Sequence, residues 1–193
     1  MSQPAIVIID VQNAILEGPA LTRPEETQAA LHAVVGRIAQ LIDWARQQAI
    51  PVIFVQHDGP AGHRLEVGTP GWRIRPEIAP HPDEVVVHKT ACDSFFETTL
   101  DEGLARREVT DLIIAGCMTQ YCVDTTVRRA VSLGYDVELV ADGHMTAGAD
   151  GLSFEQILAH HNGLLDGFDA GSHRARVRPL REILSVDDEI HSK

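Results

Sequence analysis

The sequence predicts an α/β domain built on a mostly parallel sheet, and three observations carry that reading. Five short runs are rich in Val, Ile and Leu, and the first four of them are almost uninterrupted by polar residues. Unbroken apolar runs suit strands covered on both faces, as parallel sheets require. Helix-length segments separate the runs, and strands alternating with helices imply right-handed crossovers within one sheet. With 193 residues the chain suffices for one full core, so residues 1–193 are expected to form a single domain.

Each element has its own signal. Residues 5–10 (AIVIID) follow no basic region and are cut off by Asp10, far short of a spanning or signal segment, so they read as a strand. Leu31, Val34, Val35, Ile38, Leu41, Ile42 and Ala45 recur at three- and four-residue spacing, which gives a helix one apolar stripe to lay on a sheet. Further strands are expected at residues 51–56 (PVIFVQ), 84–89 (EVVVHK), 111–116 (DLIIAG) and 136–142 (DVELVAD). Capping-box patterns at Thr99 with Glu102 and at Ser153 with Gln156 predict two helix starts. Gly134 is placed to stop a helix that begins near Gln120. The segment 58–82, rich in Pro, Gly and His, exceeds a routine connection and predicts an active-site or interface loop. The end of the chain, 185–193, reads as a polar tail.

Composition narrows the function classes. A formal net charge of -12 and few Lys and Arg make a nucleic-acid or anionic-membrane partner unattractive, because such binding draws on cations that neutralise phosphates. Three cysteines, an odd number without small-domain spacing, argue against a disulfide framework and for a reducing compartment, so a cytoplasmic location is expected.

Ligands of open parallel sheets bind beyond the carboxyl ends of the strands, where strand order reverses. Asp10 closes the first predicted strand, Lys89 the third, and Cys122 follows the fourth after a short turn. In the common order 3-2-1-4-5 these three face one crevice. A thiol becomes a strong nucleophile only when deprotonated, which a helix N-terminus, a cation and a proton acceptor all favour. Cys122 near a helix start receives the first, Lys89 is a cation, and Asp10 is placed to take the thiol proton and return it to a leaving amine. Taken singly, each residue has a plainer reading: a buried small hydrophobe, a turn acid, a solvated lysine. Their convergence on one sheet edge is what points to a site. The pair Cys117 and Cys122 also leaves open a metal clip or a redox pair.

The stretches VIIDVQN (7–13), HKTACDSFF (88–96) and GCMTQYCVDTTVRRA (116–130) resemble, in order, the isochorismatase-like cysteine hydrolases, and the resemblance runs to about Asp142. It implies a Rossmann-like doubly wound sheet of order near 3-2-1-4-5-6 with helices on both faces. It implies a catalytic Asp10, Lys89 and Cys122, and a cis peptide between Cys117 and Met118 that aims the Met118 and Cys122 N–H groups as an oxyanion hole. On that reading Cys122 is the nucleophile and Cys117 belongs to the turn; a zinc pair would also want close Cys or His neighbours, which these two lack.

The metal-binding Asp-x-His of the family's nicotinamidases is replaced here by VQHDGPAGH, with His57 and Gly59 at its positions, so no metal and no other cofactor is expected. Retention of Cys122 favours cleavage of an amide, ureide or lactam over the vinyl ether of isochorismatases proper. Asn13, Trp72, Phe95, Phe96 and Tyr121 are the candidate contacts for a small-molecule substrate. The adjacent His160 and His161 lack a third ligand, and their helix reads as structural. A homo-oligomer, dimer or tetramer, is expected. The competing readings are an ether hydrolase and a non-catalytic oligomeric binding module.

Overall fold

The computed structural model describes residues 3–17 and 24–185. The chain runs β1 (Pro4–Ile9), α1 (Pro24–Gln47), β2 (Val52–His57), β3 (Val85–Lys89), α2 (Leu100–Ala105), β4 (Asp111–Cys117), α3 (Asp124–Leu133), β5 (Asp136–Met145), α4 (Phe154–Leu165), β6 (Asp169–Ala170), β7 (His173–Arg178) and α5 (Leu180–Ser185). The sheet order is β3-β2-β1-β4-β5-β7-β6, parallel except where β6 turns back on β7.

Alternation along β1 explains the double winding. Ile6 and Ile8 enter one core with Phe54 of β2, the α1 stripe from Leu31 to Ala45, and Leu180 and Ile183 of α5. Ala5, Val7 and Ile9 enter the other with Leu104 of α2 and Val127, Ala130 and Val131 of α3. Successive side chains point to opposite faces, so a strand apolar throughout must be covered twice.

The five predicted strands lie where the apolar runs placed them, with β5 extending to Met145. The sixth position belongs to β7, which the sequence hid. Its residues, HRARVR, show no apolar run because only Ala175 is buried, while Arg176 and Arg178 reach out to Glu138 of β5. The Ser153 and Gln156 box forms reciprocally, at 3.3 and 2.8 Å. Thr99 does precede α2, yet its side chain makes no capping bond. Gly134 ends α3 at φ 97°, the left-handed conformation a glycine adopts without penalty. The polar tail lies outside the described residues from 186 onward.

Candidate active site

The switch point between β1 and β4 lies at the C-terminal edge of the sheet, where the two strands move very close together. Ile9 pairs with Gly116, and a Cβ on Gly116 would overlap the Ile9 carbonyl oxygen and sit 2.7 Å from its nitrogen. Gly116 also has φ 134°. Glycine is therefore required twice over, by contact and by conformation. Its consequence is local: the turn after β4 is held against Asp10, the residue after β1. Gly116→Ala is expected to lower stability by about 1–3 kcal/mol and to impair activity by parting these two segments, which urea denaturation beside an activity assay will show.

Beyond β4 the Cys117–Met118 peptide is cis, and Thr119–Val123 form a single π turn that leads directly into α3. Cys122 lies in that turn, Lys89 at the end of β3, and Asp10 just past β1 with φ 51°, a conformation Asp tolerates better than most residues. The structure brings the three together. Lys89 Nζ lies 2.7 Å from Asp10 Oδ2, donates to Cys122 Sγ at 3.3 Å and to the Ala91 carbonyl at 2.8 Å. An ammonium has three donors, so Lys89 has none left for a ligand. The Lys89 and Asp10 side chains are 0% and 1% exposed. Both Asp10 carboxylate oxygens are buried, and the groups that face them are the Lys89 ammonium and the Cys122 thiol.

Burial sets the proton distribution. It raises the Asp10 carboxyl above the ordinary carboxylate range, against the Lys89 charge and hydrogen bonds from Cys122 and Lys89. It also lifts the Cys122 thiol well above an ordinary thiol, with the Asp10 charge adding and Lys89 opposing. For Lys89 burial pulls downward, but the charges of Asp10 and Cys122 prevail and raise it. One cation thus faces two acids, and the protonation of each depends on that of the other. The upward shift favours the thiol at rest, where the helix start and Lys89 alone favour a thiolate. Cys117 is fully buried in the turn, its thiol pushed up to about 12 by burial.

Segment 58–82 straps this edge. Its backbone pairs with the chain after β1, through Asn13 N to Arg73 O at 3.0 Å, Ala14 N to Gly71 O at 3.0 Å and Arg75 N to Val11 O at 3.1 Å. Gln12, fully buried, clips three pieces of chain: its amide donates to the His57 and Trp72 carbonyls and accepts from His57 N. Of the candidate substrate contacts, Asn13 donates its amide to Pro70 O at 2.8 Å and so anchors the strap. Trp72 is half-buried, donates Nε1 to Asp58 Oδ1 at 2.8 Å and stacks on His88. Phe95 is buried in the second core, where it stacks on Tyr135. Phe96 and Tyr121 are 52% and 47% exposed.

Sequence reasoning also missed His144. Buried at the end of β5, it receives the Thr119 hydroxyl at Nδ1 and donates Nε2–H to Asn162 Oδ1. The tautomer follows from Asn162, whose amide nitrogen is the group donating to the Ala141 carbonyl, so its oxygen must accept. Burial keeps this ring neutral, with a pKa lowered to about 4. It ties the π turn to α4. His161 makes a bond within α4, to Ile157 O. Among the described residues no three His, Cys, Asp or Glu side chains gather to hold a metal ion, and no helix is long and apolar enough to cross a membrane.

Residues 4–158 match the family model of the isochorismatase domain. A streptothricin hydrolase of Streptomyces noursei is 36% identical over 142 residues, which cover 74% of this chain and 49% of that protein. This chain therefore spans about half the length of that relative. A ureidoacrylate amidohydrolase of Stutzerimonas stutzeri is 29% identical over 192 residues, covering 83% of this chain and 76% of its own. Among solved structures, an isochorismatase from Pseudomonas putida superposes with a TM-score of 0.82 at 30% identity, across 93% of this chain and 89% of that one.

Proposed function

Because this chain belongs to the isochorismatase family, we propose that it is a cysteine hydrolase that cleaves a carbon–nitrogen bond of a small molecule, an amide, ureide or lactam, through a thioester on Cys122. The observation that supports this most is the shared ammonium: Lys89 holds Asp10 and Cys122 at 2.7 and 3.3 Å, with Asp10 buried beside the thiol. An ether hydrolase has no comparable need for a thiol beside a buried base. The relatives named as an amidohydrolase and a hydrolase point the same way.

Asp10 takes the thiol proton as the sulfur adds to the substrate carbonyl, so the proton moves within the buried trio and no extra charge is created. Lys89, with every donor engaged, stabilises whichever of the two acids is ionised and does not touch the substrate. The backbone N–H groups of Met118 and Cys122 hold the oxyanion. Asp10 then protonates the departing amine, takes a proton from the water that attacks the thioester, and returns it to the Cys122 sulfur as the carbon–sulfur bond breaks and the acid leaves. Tyr121, next to Cys122 in the chain, Phe96 and, on the strap, Trp72 are the apolar walls proposed for the substrate.

The test is release of ammonia or amine from a panel of small amides, ureides, carbamoyl compounds and lactams. Wild type is expected to hydrolyse members of the panel, and Asp10→Asn to lose at least about 10²-fold in kcat/KM with its fold retained. Hydrolysis of a vinyl ether, assayed separately, with no member of this panel hydrolysed would overturn the assignment.

A further inference from the structure

His144 is a buried titratable group that the cleavage steps leave unused, and the sheet sets it against the nucleophile's turn. The register between β4 and β5 shifts between Ile114 and Gly116, and beyond the shift Gly116 pairs with His144 and Cys117 with Met145. Gly143 lies in the irregular stretch, where a Cβ would come 2.7 Å from the Val140 side chain. The bulge that brings His144 alongside the turn thus has no room for a side chain just before it.

Two side chains of the π turn Thr119–Val123 make hydrogen bonds among the described residues, one near each end. Cys122 is held by Lys89 and Asp10. Thr119 is held by His144, hydroxyl to Nδ1 at 2.9 Å, with both residues fully buried. A Thr at a helix start commonly turns its hydroxyl to its own helix. Here no side chain caps the turn or α3, and the hydroxyl leaves the helix for the neighbouring strand.

The ring has no other work open to it. Its Nε2–H is spent on Asn162 Oδ1 at 2.8 Å, and the Asn162 amide donates to Ala141 O at 3.0 Å, so the chain of bonds returns to β5. With both nitrogens engaged, His144 cannot exchange a proton with a substrate. Burial, with the His161 charge adding, lowers its pKa to about 4 against Asn162 and Asp142, and only the neutral ring offers Nδ1 as an acceptor. Cys117, Met145 and Phe154 of the first core, with Met118 and Leu158 packed against it, make the surroundings apolar. A hydrogen bond in such a setting is strong and directional.

We propose that His144 is a positioning residue: through Thr119 it holds the turn in the orientation in which the Met118 and Cys122 N–H groups meet a developing oxyanion. Thr119 stands between those two groups in the chain, so a turn anchored only at Cys122 would let the Met118 N–H swing away. This rests on the oxyanion reading of the turn, and it can be tested apart from amide hydrolysis.

The test compares two reactions of the Cys122 sulfur. p-Nitrophenyl acetate acylates it: the carbon–sulfur bond forms through a tetrahedral oxyanion, p-nitrophenolate leaves, and the thiol proton goes to Asp10. Iodoacetamide alkylates it by displacement of iodide, the thiol proton going to solvent, and forms no oxyanion. The first is read as the p-nitrophenolate release that Cys122→Ala lacks, the second by peptide mass mapping at Cys122. In His144→Leu and in Thr119→Val, acylation is expected to fall at least about tenfold while alkylation stays within about twofold of wild type. His144→Asn, whose side-chain oxygen replaces Nδ1 as acceptor, and Thr119→Ser, which keeps the hydroxyl, should each recover most of the acylation. His144→Leu combined with Thr119→Val should be no slower than the slower single variant, since both remove one bond.

Acylation and alkylation falling together, variants that acylate like wild type, or a wild type without Cys122-dependent release would each overturn the proposal. On amides, kcat should fall in both single variants with KM held within about twofold. If no amide is turned over while acylation responds to His144, the hydrolase reading fails and the positioning role stands. If both variants turn amides over at the wild-type kcat, the hydrolase stands and the positioning role falls.

Discussion

Cys122→Ala is expected to reduce turnover to the background rate, a loss of at least about 10⁴-fold, as removal of a covalent nucleophile does elsewhere. The fold should survive it. Lys89 keeps its bonds to Asp10 and to the Ala91 carbonyl when the sulfur is gone, so no buried charge is orphaned. Cys122→Ser should do no better, because an alcohol is a far weaker acid than a thiol and Asp10 would have to remove a much less available proton. Thermal melting beside the activity assay separates loss of chemistry from loss of structure. Residual activity within tenfold of wild type in Cys122→Ala would remove Cys122 from the reaction.

Lys89→Met tests the electrostatics of the same trio, and its first effect is on stability. Taking away the ammonium leaves Asp10 buried with no counter-charge, and breaking a buried pair costs about 3–5 kcal/mol. The sign of the pH dependence follows. Burial already raises Asp10, and without the Lys89 charge that opposes it the carboxyl rises further. A carboxyl whose folded-state pKa lies above its unfolded value binds its proton more tightly when folded, so stability is gained as pH falls through the folded pKa. The deficit of Lys89→Met relative to wild type should therefore be largest near neutral pH and shrink toward acid pH, as urea denaturation at both will show. Activity should be lost as well, since a protonated Asp10 cannot accept the thiol proton. A deficit that is independent of pH would mean that Lys89 supports the fold by packing alone.

The centre of the fold was legible because β1 to β4 are apolar on both faces, and only a doubly covered sheet makes sense of AIVIID or DLIIAG. β7 was not, since an outer strand with one buried residue and a row of arginines carries no periodic signal. The site divides along a similar line. Asp10, Lys89 and Cys122 could be placed on one edge from strand ends alone, because topology fixes where strand ends go. Gln12, His144 and Asn162 could not, because their partners are carbonyls and hydroxyls that only the folded chain brings within reach. Phe95 and Phe96 show the limit most plainly: two adjacent aromatics, one in the core and one at 52% exposure, indistinguishable by residue type. The direction in which the Cys122 thiol is shifted also needed the structure, since helix start and lysine argue for a thiolate while burial and the neighbouring Asp10 charge argue otherwise.

The covalent thioester is the central claim, and partitioning with hydroxylamine tests it most directly. Two substrates are chosen from those the enzyme hydrolyses, with the same acyl group and different leaving amines. The ratio of hydroxamate to free acid is then measured at a fixed hydroxylamine concentration. A common acyl-Cys122 intermediate has forgotten its leaving group, so the account predicts one and the same ratio for both substrates. A ratio that changes with the leaving amine would show that water and hydroxylamine attack the substrate itself, and the thioester on Cys122 would have to be abandoned.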